Sequence, residues 1–193
     1  MNISRKLLFI AFMLIAAGIL GLVPYANMLA DKQAAVANAQ PVTIQTRPLK
    51  PETVSGKPVR LQVPSLGLDL TVAEGAYNQA DGSWTLSKDK AHFALPSAPV
   101  NNEAGNTMVY GHNRSDVFAA LHTMQPGATA IITTDNGYVF TYIYTQQEIV
   151  EPTATEIFGY QGAPRLTLQT CTGRWFEHRQ FFYFALSGYE KTS

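Results

Sequence analysis

The chain has 193 residues, 14 basic and 14 acidic side chains, and a formal net charge of zero. No basic stripe marks a nucleic-acid surface, and one cysteine, Cys171, excludes an internal disulfide. No repeat or low-complexity segment is present, and the length past any targeting segment fits one ordinary domain.

Residues 7–23 read LLFIAFMLIAAGILGLV, with Arg5 and Lys6 just before them. About 17 uncharged residues at 1.5 Å each stand at the short end of a membrane-crossing helix. Lys and Arg on the N-terminal flank place that end in the cytoplasm. Residues 1–25 are therefore expected to be a cytoplasmic tip and transmembrane signal-anchor. The protein would be single-pass in the cell membrane, with its remaining residues outside the cell. A cleaved signal peptide is the competing reading. Ala37-Asn38-Ala39 has the small-x-small pattern of a cleavage site, but it stands far beyond the apolar core. Residues 26–57, rich in Ala, Gln, Thr, Pro and Lys, read as an extracytoplasmic linker. Residues 58–193 are expected to fold.

Alternating apolar and polar residues predict strands at 59–63 and 68–72 around a turn at 64–67. Asp81-Gly82 marks another turn, followed by a short strand at 84–86. A strand at 107–110 ends at Gly111-His112. Residues 117–124 are expected to make two helical turns before Pro126-Gly127. Strands at 128–133 and 138–144 flank Asp135-Asn136-Gly137, a strong hairpin signal. A short helix is expected at 153–158, then strands at 166–171 and 179–187. Many short strands between turns indicate an all-β domain, an antiparallel barrel or sandwich with short helices.

In an exported chain a lone cysteine is either a free thiol or an intermolecular link. A free thiol outside the cell is open to oxidation, so keeping one points to chemistry that uses it. A thiol attacks as its thiolate and needs a group that takes or balances its proton. The histidines are His92, His112, His122 and His178. His112 is the favoured candidate, because it follows Gly111 at a strand end where a turn presents a side chain at a rim. Attack on a carbonyl also needs donors for the developing oxyanion. Arg174 and Arg179 both follow Cys171. Arg179 opens the aromatic strand, which would hold it rigidly, whereas Arg174 reads as a solvated loop charge.

These residues resemble the sortases, membrane-anchored cysteine transpeptidases of bacterial surfaces. Thr167-Leu168-Gln169-Thr170-Cys171 matches the family's Thr-Leu-x-Thr-Cys, and Gly111-His112 matches its strand-end Gly-His pair. Arg179 matches its arginine on the strand after the cysteine, and His178-Arg179 resembles the His-Arg pair of several sortases. Val63-Pro64-Ser65-Leu66-Gly67-Leu68 is similar to the Ile-Pro-x-Ile-x-Val that opens the family's domain. The resemblance covers residues 58–188.

It implies a sortase-like closed β-barrel of about eight strands. It also implies that Cys171 attacks a C-terminal sorting signal of Leu-Pro-x-Thr-x type and forms an acyl-enzyme thioester. His112 would protonate the leaving amine and deprotonate the incoming one. Arg179 would hydrogen-bond the substrate carbonyl or oxyanion, and Thr170 would support substrate and oxyanion. The implied partners are surface proteins bearing sorting signals, an amine acceptor such as a cell-wall precursor or another protein, and the membrane, with no nucleic acid. No cofactor and no metal are expected. Glu103, Glu148, Glu151 and Glu156 read as solvated charges rather than as the calcium ligands of one subtype. Pilus-building sortases carry an Asp-Pro dipeptide in an N-terminal lid, and this chain has none. Another subtype inserts a long helix where residues 152–164 leave room only for a short one. A housekeeping-like anchoring enzyme is therefore implied. Trp175 and Phe176, in the short loop 172–178, are expected either to line the groove or to pack.

Two other readings compete. Gln169-Thr170-Cys171-Thr172-Gly173 resembles the Gln-Ala-Cys-x-Gly of caspase-like cysteine peptidases, but that fold alternates strands with long helices. A membrane-anchored, non-catalytic β-barrel binding module, or a degenerate sortase, would carry Cys171 as an apolar thiol.

Overall fold

The computed structural model describes residues 52–192. The expected signal-anchor at 1–25 and most of the linker at 26–57 lie outside the described residues. Among the described residues no helix is long and apolar enough to cross a membrane.

Eight strands close into one barrel. In chain order they are β1 (Pro58–Val63), β2 (Leu68–Gly75), β3 (Ala91–Ala94) and β4 (Asn106–Tyr110), then β5 (Thr129–Thr134), β6 (Tyr138–Val150), β7 (Arg165–Thr172) and β8 (His178–Lys191). Around the barrel the order is β6-β8-β7-β4-β3-β2-β1-β5, and β5 pairs with β6 to close it. Two short pairs stand apart from it, Ser55–Gly56 with Val100–Asn101 and Tyr77–Asn78 with Ser83–Trp84.

The period-2 pattern behaves as expected in β2, where Leu68, Leu70 and Val72 are buried while Asp69 and Thr71 face solvent. The turn at Pro64–Leu66 and the Asp135-Asn136-Gly137 connection set up the local antiparallel pairs β1–β2 and β5–β6. The barrel is nonetheless mixed rather than antiparallel throughout, because β2 pairs parallel with β3 and β4 pairs parallel with β7. Parallel partners need a crossover and leave no hairpin signal between them. The caspase-like reading falls here, since the described residues form a barrel with no strand–helix alternation.

The expected helices are single 3-10 turns, Ala119–Thr123 and Glu156–Gly159, segments too short to repay α-helix nucleation. Strand β6 runs on to Val150, past its expected end at 144. Register shifts at Thr141/Tyr142 and Tyr144/Gln146 break the phase of its alternation. Strand β3 escaped the sequence pattern because all four of its residues are buried.

The interior is filled by side chains such as Leu61, Ile132, Phe140, Leu168, Phe182 and Phe184. A second, smaller cluster lies on the outer face of β4, β7 and β8, because Met108, Tyr110, Phe181 and Tyr183 alternate with the interior residues Val109 and Phe182. The connections at 76–90 and 151–164 cover it. Trp84 stacks on Phe158 with centroids 5.9 Å apart and meets Tyr110 edge-on at 5.3 Å. Tyr110 also donates its hydroxyl to Thr85 O.

Candidate active site

Strand β7 sorts its side chains by parity. Leu166, Leu168 and Thr170 point into the barrel, so Arg165, Thr167, Gln169 and Cys171 lie on the outer face. Cys171 is a free thiol and only partly buried. Its Cα partner in the antiparallel β7–β8 pair is Arg179, and directly opposed residues project from one face. On the other side β4 runs parallel to β7, with Tyr110 opposite Gln169. The ladder continues one step further, with Gly111 N donating to Gln169 O at 3.0 Å. His112 therefore follows Tyr110 by two residues and comes level with Cys171. The structure thus brings Cys171, His112 and Arg179 to the same end of three neighbouring strands.

The residue before His112 has to be glycine. A Cβ at Gly111 would stand 2.8 Å from Val117 Cγ1 and 3.2 Å from the Phe118 ring. That close approach lets the chain turn at once, with Arg114 N and Phe118 N both donating to His112 O, at 2.9 and 3.1 Å. Asp116 in this turn has its carboxyl held below the usual carboxylate range. The hydrogen bond from Arg114 is the largest cause.

Two side-chain hydrogen bonds join the histidine segment to the cysteine strand. Thr170, fully buried, donates Oγ1 to Gly111 O at 3.0 Å. Its hydroxyl therefore lies on the face opposite Cys171. Asn113 donates Nδ2 to Cys171 O at 3.0 Å. Sequence reasoning passed over Asn113, and its only sequence signal is that it follows the Gly-His pair.

Arg179 is oriented through one nitrogen. Its Nη1 donates to Phe176 O at 3.0 Å and to His178 O at 3.1 Å, whereas Nε and Nη2 have no partner among the described residues. The loop that supplies these carbonyls is tightly wound. Gly173 has φ 91° and Phe176 has φ 60°, the one non-glycine in the left-handed region among the described residues. The Glu177 carboxylate accepts from Trp175 N at 2.7 Å. It is held below the ordinary glutamate value, first by its own backbone N–H and then by that of Trp175. Glycine is favoured at 173 by its positive φ, which side-chain-bearing residues rarely adopt. Trp175 and Phe176 do not pack, for they are 80% and 55% exposed. Arg174 is exposed, with its guanidinium 5.7 Å from the Trp175 ring centre.

The other histidines serve elsewhere. His92 is buried, accepts at Nε2 from Ser87 N at 2.9 Å, and stacks on Tyr110. His122 is exposed on a 3-10 turn. His178 is the Cα partner of Thr172, which puts it on the face away from Cys171, and its Nδ1 lies 3.4 Å from Glu151 Oε1. The four glutamates are dispersed. Glu103 accepts from Thr53 Oγ1, Glu148 accepts from the Tyr183 hydroxyl, Glu151 faces His178, and Glu156 begins a 3-10 turn. Among the described residues no three His, Cys, Asp or Glu side chains gather as a metal site.

Comparison with solved structures finds the same barrel. Sortase E1 from Streptomyces coelicolor, with a tripeptide in its active site, superposes with a TM-score of 0.59 at 19% identity, over 71% of this chain and 91% of that one. Sortase A of Listeria monocytogenes gives 0.57 at 22% identity, over 70% and 91%. Sortase C of Streptococcus pneumoniae gives 0.58 at 19% identity, over 72% and 73%. No curated protein matches the chain significantly. The family model described as the sortase domain matches residues 61–184, more than half of the chain. The chain belongs to the sortase family.

Proposed function

We propose that the protein is a cysteine transpeptidase that cleaves a Leu-Pro-x-Thr-x-like C-terminal sorting signal and transfers it to an amine. The observation that supports this reading is that Cys171 and Arg179 are directly paired at one end of β7 and β8, with the backbone of His112 following β4 to the same end. The Cys171 thiolate attacks the peptide carbonyl carbon after its proton has passed to His112. Negative charge moves to the carbonyl oxygen, and Arg179 donates to it through Nε or Nη2, with Nη1 already engaged by the loop. The C–N bond breaks, His112 gives its proton to the leaving amine, and a thioester remains. An incoming amine attacks the thioester and loses a proton to His112, so that the new amide forms as the thiolate departs. Thr170 supports this by position, its hydroxyl fixing the Gly111 carbonyl beside His112.

The substrates in this reading are surface proteins with sorting signals, and the acceptor is a cell-wall precursor or another protein. The enzyme is housekeeping-like, held by residues 1–25 in the cell membrane with its N-terminus cytoplasmic and residues 58–193 outside. The test uses the full chain in detergent with a library of Leu-Pro-x-Thr-x-like peptides, with and without an amine. Intact mass spectrometry should show an acyl adduct on Cys171 that the amine resolves, and Cys171→Ala and His112→Ala should abolish it. A thiol that alkylates readily but takes up no peptide would refute the substrate assignment. A thiol inert to both would overturn the catalytic reading in favour of a binding barrel.

A further inference from the structure

We propose that Asn113 is a positioning residue that holds His112 level with Cys171. The inference rests on the function proposed above and deepens it. In a parallel pair, the N–H groups of alternate residues point at the same neighbouring strand. Gly111 N donates to Gln169 O, so the next donor toward β7 would be residue 113, aimed at Cys171 O. The backbone no longer reaches it. The chain has already turned, and His112 O is taken by Arg114 N and Phe118 N. Asn113 supplies the missing donor from its side chain, with Nδ2 at 3.0 Å from Cys171 O.

The ladder between the histidine strand and the nucleophile strand is thus prolonged by one rung through an amide. The rung ends on the nucleophile's own carbonyl. His112 sits between this rung and the Thr170–Gly111 bond, with one tie on each side of it in sequence. Without the rung, residue 113 would be free to swing with its loop, and His112 with it. A misplacement of about 1 Å between reacting groups costs on the order of 100-fold in rate. The chemistry at position 113 is specific. Aspartate has the same shape but no N–H to offer a carbonyl, alanine has no donor, and glutamine keeps the amide on a longer stem.

The test uses the full chain, in which Cys171 is the only thiol. One readout is the rate of Cys171 alkylation by iodoacetamide as a function of pH. The other is kcat and KM on the peptide that acylates Cys171. Asn113→Ala is expected to lower kcat by about 10- to 100-fold with KM within about twofold. It should also displace the pH–rate profile of alkylation from that of the wild type, which a loss of stability alone would not do. Asn113→Asp should behave like the alanine variant at neutral pH, and Asn113→Gln should recover most of kcat. Wild-type kcat and a superposable alkylation profile in the Ala and Asp variants would overturn the proposal. So would equal losses in the Ala and Gln variants. If Asn113→Ala fails to fold, the isosteric Asp variant decides by the same criteria. If the wild-type chain takes up no peptide, the proposed function has failed, and the alkylation profile alone decides for or against Asn113.

Discussion

Thr170 shows how much one hydroxyl can fix. It lies in the barrel interior with no exposed surface, and its one described partner as donor is the Gly111 carbonyl, 59 positions away in sequence. Replacing it with valine keeps the shape and removes the donor, leaving a buried carbonyl unpaired at a cost of about 1–3 kcal/mol. Urea unfolding should show that loss in Thr170→Val and its recovery in Thr170→Ser. An unchanged midpoint in the valine variant would mean that water has replaced the hydroxyl. Residue type and strand-end position made Cys171, His112 and Arg179 candidates in the sequence, and the match to the sortase motifs singled them out. The direction of the Thr170 hydroxyl and the role of Asn113 were not legible. Each depends on a partner that only the parallel β4–β7 pairing brings near.

The β7–β8 hairpin turns through a very short, internally hydrogen-bonded loop. Its two exposed aromatics are not held by packing, so the hydrogen bonds of the Glu177 carboxylate and the Arg179 guanidinium do the holding. The Glu177 carboxyl is depressed below its ordinary value of 4.5 in the folded chain, by its own backbone N–H and that of Trp175. A depressed acid contributes its full hold above the unfolded value and loses it as pH falls through the folded value. Trp84 and Trp175 are the two tryptophans, so Trp84→Phe leaves one reporter in the loop. Its fluorescence anisotropy should be level from neutral pH down to about 4.5 and fall as the pH drops further. Anisotropy that shows no fall at any pH below 4.5 at which the barrel stays folded would show that the carboxylate does not hold the loop. At this scale the sequence located the starts of the barrel strands it found to within a residue and missed the far ends of β2, β6 and β8. The two shifts in β6 move its alternation out of phase, so the second half of the strand reads as polar loop although it pairs with β8 throughout.

The closed barrel concentrates tyrosines at its walls. Tyr110, Tyr142, Tyr144 and Tyr183 all have hydroxyls pushed above the ordinary value of 10.0 by burial, with Tyr183 pushed up to about 12 by burial and the neighbouring Glu148. A raised folded value means stability that is complete below the unfolded value and lost as pH rises through the folded one. The urea midpoint should therefore stay level to about pH 10 and fall steeply between there and pH 12. A midpoint that declines no faster in that window than just below it would refute the burial of these hydroxyls. At the scale of the molecule, the local hairpins β1–β2 and β5–β6 indicated an all-β barrel or sandwich, and the closed barrel followed from the sortase resemblance. The sequence did not indicate the parallel pairs or the β1–β5 contact, whose partners lie on opposite sides of long connections.

The run Phe181-Phe182-Tyr183-Phe184-Ala185-Leu186 in β8 has the composition of a cross-β aggregation segment, uncharged and without proline. In an open sheet such a strand at the margin would recruit other chains. Here β6 flanks it on one side and β7 on the other, and the sheet meets itself at β5 and β6. Closure leaves the barrel no margin to offer a neighbour. At high concentration, self-association through this segment would first require a molecule to tear its own sheet open.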